Sequence, residues 1–248
     1  MKYPLALAAL IGLSAVSSAQ QMFEIRFENL GPQPLSPLFW SAGNDTFDIF
    51  QLGGTASQGI KDIAERGNTT AMMGIAAAAG ANVSAFGTIP GGGVPPGGVR
   101  TATFTTDAAR PYFSFASMVG RTNDGFIGES FSSSGLNLFS LGQPNSFSML
   151  ITGLRAWDAG TELNTQNAAD VLGFGGTGNP MDSDTSIRIH DTIIPNFGDS
   201  WQSMPDWDLN TSLARVTVTP VPEPGTMAAL GVAAAALVRR KRRQAANS

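Results

Sequence analysis

The chain has 248 residues, with 15 Lys and Arg against 19 Asp and Glu, one histidine and no cysteine. Without cysteine there is no disulfide, no thiol catalysis and no Cys-ligated zinc, and His190 alone cannot build a multi-histidine metal centre. A net charge of −4 disfavours nucleic acid and anionic lipid as partners.

The first residues, Met1-Lys2-Tyr3-Pro4, lead into an apolar run from Leu5 to Val16 and then Ser17-Ser18-Ala19. A basic start, a short apolar middle and small residues before a cut site predict a secretory signal peptide over 1–19, removed after Ala19. The stretch 20–220 that follows is long enough for one sizeable core. Setting aside Lys2, the five basic residues of the tail and Glu223, it keeps nine basic and eighteen acidic residues, so it is more acidic than the whole chain.

Met22 to Leu30 alternates, with Phe23, Ile25 and Phe27 on one face and Glu24, Arg26 and Glu28 on the other, which predicts a half-buried strand. Gly31 to Pro37 reads as a proline-rich turn and Thr46 to Leu52 as a second apolar run. Ser57 to Arg66 predicts a short helix capped by Ser57, with Ile60, Ile63 and Ala64 on one face and Gly67 ending it. The Ala-rich Thr70 to Ala81 fits a helix or a packed loop equally well. Pro90 to Gly98 is a Gly/Pro loop too poor in side chains to be organised by packing. Further strands are expected over Val99–Thr106, Tyr112–Val119, Phe147–Thr152, Thr185–His190 and Leu213–Thr219, with a Gly- and Asp-rich surface loop from Asn164 to Asp184. Strands divided by turns with little helix predict an all-β fold, an antiparallel β-sandwich with a short helix in a connecting segment.

The tail, 221–248, opens on Val221-Pro222-Glu223-Pro224-Gly225, continues through an apolar stretch from Thr226 to Val238, and ends in Arg239-Arg240-Lys241-Arg242-Arg243. An apolar helix followed by basic residues places the cluster on the cytoplasmic side. The stretch is shorter than the roughly 18–20 residues of a full span, although arginine side chains can snorkel and extend it. This order resembles the PEP-CTERM sorting signal of Gram-negative bacteria. The resemblance implies an exosortase as partner, cleavage near Pro222, Glu223 and Pro224, and residence in the inner membrane before processing.

Two segments carry the candidate chemistry, Thr122-Asn123-Asp124-Gly125-Phe126-Ile127-Gly128 and Ala156-Trp157-Asp158-Ala159-Gly160-Thr161-Glu162. In the second, Gly160 lets the chain fold tightly so that Asp158 and Glu162 approach one point, and Asp124 can add a third carboxylate. Oxygen-only sets of this kind suit a hard cation such as Ca²⁺, although Asp-Gly pairs are also ordinary turn residues. From Met22 to Thr219 the chain is similar to the spondin domain in its bacterial form. The similarity rests on Leu35-Ser36-Pro37, Phe47-Asp48-Ile49-Phe50, Gly53 to Gly67, Met118, Thr122 to Gly128 and Trp157 to Glu162, in that order. It implies a sandwich like that of C2 domains with a calcium site at one end, its ligands falling on Asp124, Asp158 and Glu162. In the family the last of these is more often Asp, and at Arg66 an acid is expected.

His190, on the face opposite Ile187 and Ile189, reads as a surface histidine, and no nucleophile elbow surrounds any serine. Asp158 and Glu162 could serve glycoside hydrolysis only with a set separation and a sugar cleft. Trp40 and Trp157 read as packing residues, while Trp201 and Trp207, among Asp199, Asp206 and Asp208, are the tryptophans nearest to a sugar-stacking role. Asp182, Asp184 and Asp191 are loop acids that could hold a second cation. The resulting expectation is an exported, calcium-binding, non-enzymatic adhesion or matrix-binding module sorted to the cell envelope or released, working with exopolysaccharide or another matrix component. The alternatives are a carbohydrate-active hydrolase or lectin-like protein, and a structural coat protein.

Overall fold

The computed structural model describes residues 20–165, 167–178, 182–183, 185–190 and 208–222. The signal peptide, the apolar tail helix, Glu223, Pro224, Asp184, Asp191, Trp201 and Trp207 lie outside them. Among the described residues no helix is long and apolar enough to cross a membrane.

The period-two patterns become strands as expected. β1 (Gln21–Asn29) buries Phe23, Ile25 and Phe27 and leaves Glu24 exposed. It lies between β4 (Val99–Thr106) and β12 (Ser212–Pro220), and β9 (Phe147–Thr152) extends the far side of β12 to complete a four-stranded sheet. A six-stranded sheet opposes it, built from β2 (Phe39–Gly43), β3 (Val83–Thr88), β5 (Tyr112–Met118), β6 (Gly125–Glu129), β10 (Ala156–Asp158) and β11 (Arg188–Ile189), in the order β11-β10-β6-β5-β2-β3. A small hairpin of β7 (Phe139–Ser140) and β8 (Gln143–Pro144) stands apart, and all these strands pair antiparallel. The fold is the antiparallel β-sandwich that the strand pattern predicts.

Among the described residues three α-helices accompany the sheets. α1 (Gln58–Arg66) begins where Ser57 accepts the Ile60 N–H at 3.3 Å and ends at Gly67, whose φ of 63° is the left-handed conformation a helix stop favours. α2 (Thr70–Ala78) shows that the Ala-rich stretch is helical, and α3 (Phe131–Ser134) is a single turn. α1 and α2 lie on the outer face of the six-stranded sheet, which is therefore buried on both sides. Adjacent residues of its strands alternate between two cores. Trp40, Phe115, Ile127 and Ala156 face the sandwich interior with Phe23, Ile25, Phe104, Val216 and Val218. Phe39, Ala116, Phe126 and Trp157 face the other way, onto Ile60, Ile63, Ala64 and Met72 of the helices and onto Phe47, Ile49, Phe50 and Ile187.

Some expectations are corrected. Strands β2, β3, β6 and β10 and the short β7–β8 hairpin were not foreseen: β2, β6 and β10 are buried along their whole length, and strands enclosed on both faces show no alternation of apolar and polar residues to read. Thr46–Leu52 contains no strand, yet Phe47, Ile49 and Phe50 anchor the helices to the sheet. The Gly/Pro loop is organised by packing after all, because Val94 is 1% exposed and bridges Leu35. His190 is not on the surface but 1% exposed: Ile189, expected on an inward face, is 42% exposed, and His190 on the opposite face points inward, its N–H on the Ala156 carbonyl at 2.8 Å.

Removing a ring from the second core should be costly. Phe126 is fully buried and meets Phe50 edge-on at 5.2 Å between ring centres. Phe126→Ala is expected to destabilise the protein by about 3–5 kcal/mol in chemical denaturation, against little change for Leu141→Ala at the fully exposed hairpin tip.

Candidate metal centre

β6 and β10 are neighbours, and their pairing puts Asp158 opposite Gly125. The loops at this end of the sheet thus bring the Thr122–Gly128 and Trp157–Glu162 segments together. Thr122 shapes the first by accepting the Gly125 N–H at 2.8 Å and donating to the Val119 carbonyl at 2.8 Å. Gly160 shapes the second. Its φ is 69°, and a Cβ there would stand 2.7 Å from the Thr185 carbonyl oxygen, so a side chain meets both strain and backbone.

Asp124 is at the centre. Its side chain is inaccessible to solvent, and one carboxylate oxygen, Oδ2, accepts the backbone N–H groups of Thr161 at 2.7 Å and Glu162 at 3.0 Å. Its own carbonyl receives the Ala159 N–H. The other carboxylate oxygen, Oδ1, is buried without a hydrogen-bond partner. Burial raises the Asp124 pKa from 3.8 to about 6; the neighbouring Asp158 charge adds to the rise and the two backbone donors oppose it. Asn123, 2% exposed, has neither amide atom hydrogen-bonded.

Asp158 is equally buried, but both of its oxygens are engaged. Oδ1 accepts the Gly160 N–H at 2.8 Å, and Oδ2 accepts Asn164 at 2.9 Å and the Arg188 guanidinium at 2.8 Å. Glu162 is 7% exposed and meets Asp124 through its backbone N–H, while its backbone also bridges Asp182. The structure thus brings the three sequence-predicted acids to one end of the sheet. Among the described residues, however, no three Asp, Glu or His side chains are already gathered into a group that could hold a metal ion. The donor that fits a hard cation is Asp124 Oδ1, a buried carboxylate oxygen without a hydrogen-bond partner.

Residues that sequence reasoning passed over complete the surroundings. Glu65, on α1, is 6% exposed, and burial raises its pKa, opposed chiefly by a hydrogen bond from the Thr161 side chain and by Lys61. Lys61 lies one helical turn earlier, 3.7 Å from Glu65 and 2.9 Å from Asp182; its pKa is raised, first by the bond to Asp182. Arg66, where an acid was expected, is exposed, and its neighbour Glu65 is the acid that α1 buries. Asp182 is thereby tied to Lys61 as a surface ion pair, which is a sufficient role for it.

The class these features define is an antiparallel β-sandwich with buried acids in the loops at one end of its larger sheet. The family model described as Spondin_N matches residues 19–169, more than half of the sequence, so the chain belongs to the spondin N-terminal domain family. A second model, the PEP-CTERM protein-sorting motif, matches residues 220–243. No curated protein matches the chain. The protein is thus an exported spondin-domain protein bearing an exosortase sorting signal that directs it to the cell envelope.

The Asp124 shift has a definite sign. Between about pH 4 and 6 the folded protein keeps a proton that the unfolded chain has released, so stability falls as pH rises through this window. Above it the penalty is complete, at most on the order of 3 kcal/mol. With metal chelated, Asp124→Asn is expected to be more stable than the parent at pH 7 and to converge with it near pH 4 in urea unfolding. Parallel curves across that range would show that Asp124 titrates normally.

Proposed function

We propose that this protein is a non-enzymatic, calcium-stabilised binding module of the extracellular matrix, with Ca²⁺ held at the loop end by Asp124, Asp158 and Glu162. The observation that carries the reading is the buried Asp124 carboxylate, whose Oδ1 lacks a partner while a second buried carboxylate stands near enough to oppose its ionisation. An enclosed, self-repelling pair costs folding energy that a divalent cation offsets. Binding to the folded state alone then adds stability by mass action. At the roughly millimolar affinity of extracellular calcium modules, such a site fills outside the cell and empties within it.

The non-catalytic reading is supported by the same geometry. A glycosidase pair needs carboxyl groups that reach a substrate, whereas Asp124 and Asp158 are both shut off from solvent. The partner favoured by family and sorting signal together is an exopolysaccharide or another matrix component. Exosortase is the partner at the tail, cutting near Pro222-Glu223-Pro224 after transient anchoring in the inner membrane. In support, β12 stays tied to β1 as far as Val221, whose N–H donates to the Met22 carbonyl at 2.8 Å, and the next residue, Pro222, is exposed.

Purified full-length protein should melt about 5–10 °C higher when calcium exceeds its Kd about 100-fold than it does in chelator. Asp124→Asn should lose most of that difference. An equal shift in both proteins would place calcium elsewhere, and no shift in the parent would remove calcium from the account. For the tail, Glu223→Ala in the producing cell is expected to leave a membrane-bound precursor of unchanged mass, detected by fractionation and mass spectrometry. Normal processing of that variant would count against cleavage at this motif.

A further inference from the structure

The outer backbone groups of an edge strand are a template for pairing with another chain unless something guards them. The two large sheets have four such edges, and among the described residues three are closed or guarded. β11 is two residues long, and just before it Ile187 accepts the Gly53 N–H and donates to the Gly54 carbonyl, both at 2.8 Å. β3 is tied to the segment that starts α2, the Thr88 and Thr69 hydroxyls standing 2.6 Å apart. β4 carries Arg100, whose guanidinium bonds back to the Gly91 and Gly93 carbonyls, and its last residue, Thr106, joins the Ser84 hydroxyl of β3 at 2.5 Å.

β9 differs from all three. It pairs with β12 on one side, and no other described segment pairs with it on the other. Phe147–Thr152 contains neither charge nor proline, the two side-chain devices that guard an edge. Leu150 is 44% exposed on the outer face, while Phe147 and Met149 on the inner face are only partly buried, so this rim of the sandwich is open. Arg215, opposite Leu150 on β12, is drawn to Glu28, 3.8 Å away.

We propose that the β9 edge pairs with the β9 edge of a second copy of this chain, antiparallel about a two-fold axis at Leu150, joining two four-stranded sheets into one. A two-fold contact sets a strand against itself, so a charged strand repels its own copy. In a chain of net charge −4, an uncharged strand is where a copy can approach. The register is self-complementary. With Leu150 opposite its counterpart, Met149 meets Ile151 and Ser148 meets Thr152, so apolar faces apolar, hydroxyl faces hydroxyl, and each pair shares one face of the sheet. So short a ladder buries far less than the roughly 1,200 Å² of a stable complex, so the contact forms where chains are held side by side at high local concentration.

The chain has no cysteine, so a single introduced one reports its own contacts. Full-length Leu150→Cys and Leu141→Cys are made in the producing cell, oxidised with copper phenanthroline and run on non-reducing gels, with abundance and processing equal to the parent as the folding control. Leu150→Cys is expected to appear mostly as a disulfide-linked dimer. Leu141→Cys, at the fully exposed hairpin tip, is expected to stay monomeric. Adding Ser148→Lys to Leu150→Cys places a charge on the exposed face of the edge and should lower the dimer yield about fivefold or more. Monomer from Leu150→Cys would overturn the proposal. Equal dimer from Leu150→Cys and Leu141→Cys would mean random collision and overturn it, and dimer undiminished by Ser148→Lys would place the contact on another surface and overturn it too.

Discussion

The six-stranded sheet is buried on both faces, and the placement of almost everything else follows from that. Neighbouring residues on one strand serve two separate cores, as Phe126 and Ile127 do on β6 and Ala156 and Trp157 on β10. Such a sheet has no solvent face on which to park polar side chains. Its polar chemistry is pushed to the strand ends, where the loops between strands meet the helices. Trp157 shows how firmly these ends are fixed: its ring fills the helical core while its indole N–H donates to the Gly128 carbonyl at 2.8 Å. That bond holds the strand that carries Asp158 against the strand that follows Asp124.

Helix α1 is the other half of this constraint. Its apolar face must cover the outer side of the sheet, so Ile60, Ile63 and Ala64 settle on it. That choice fixes the rotation of the helix, and the rotation carries Glu65 inward and leaves Arg66 outside. A buried acid on a packed helix is costly unless something offsets its charge. Here the offset is partial: a threonine hydroxyl and a lysine at 3.7 Å. The packing of α1 on the sheet, and not any attraction between the acids, therefore holds Glu65 inside.

How much of this was legible in the sequence depended on periodicity. β1, β4, β5, β9 and β12 announce themselves because one face of each differs from the other or because turns bracket them, and α1 because Ser57 and Gly67 punctuate it. β2 and β6 were hidden by double burial, which erases alternation. The acids of the two loops could be singled out from spacing and from resemblance to the spondin domain. Glu65 could not, because on a helical wheel it flanks the apolar face and looks like any solvated glutamate; only the packed fold, in which it is 6% exposed, distinguishes it. His190 misled because Ile187 and Ile189 were read as one inward face, whereas Ile189 is exposed and the face opposite to it, which carries His190, is the buried one.

The two functions read from this chain also fall at opposite ends of the sandwich. The domain begins at β1 and leaves through β12, and these strands pair so that Phe23 lies opposite Pro220, just before the sorting motif. The same end holds Thr106, opposite Gln21, and the turn to Tyr112, where β5 starts. β5 then runs seven residues, about 20 Å, to Met118, which pairs with Phe126 beside the acidic loops. A chain held by its tail would thus keep its attachment at one pole and present the Asp124 loops at the other. Antiparallel connectivity makes this separation a consequence of strand count: an odd number of crossings lies between the start of β1 and the loops that carry the acids. A cation at the loops and an attachment at the tail would thus stand at opposite poles, and neither would interfere with the other.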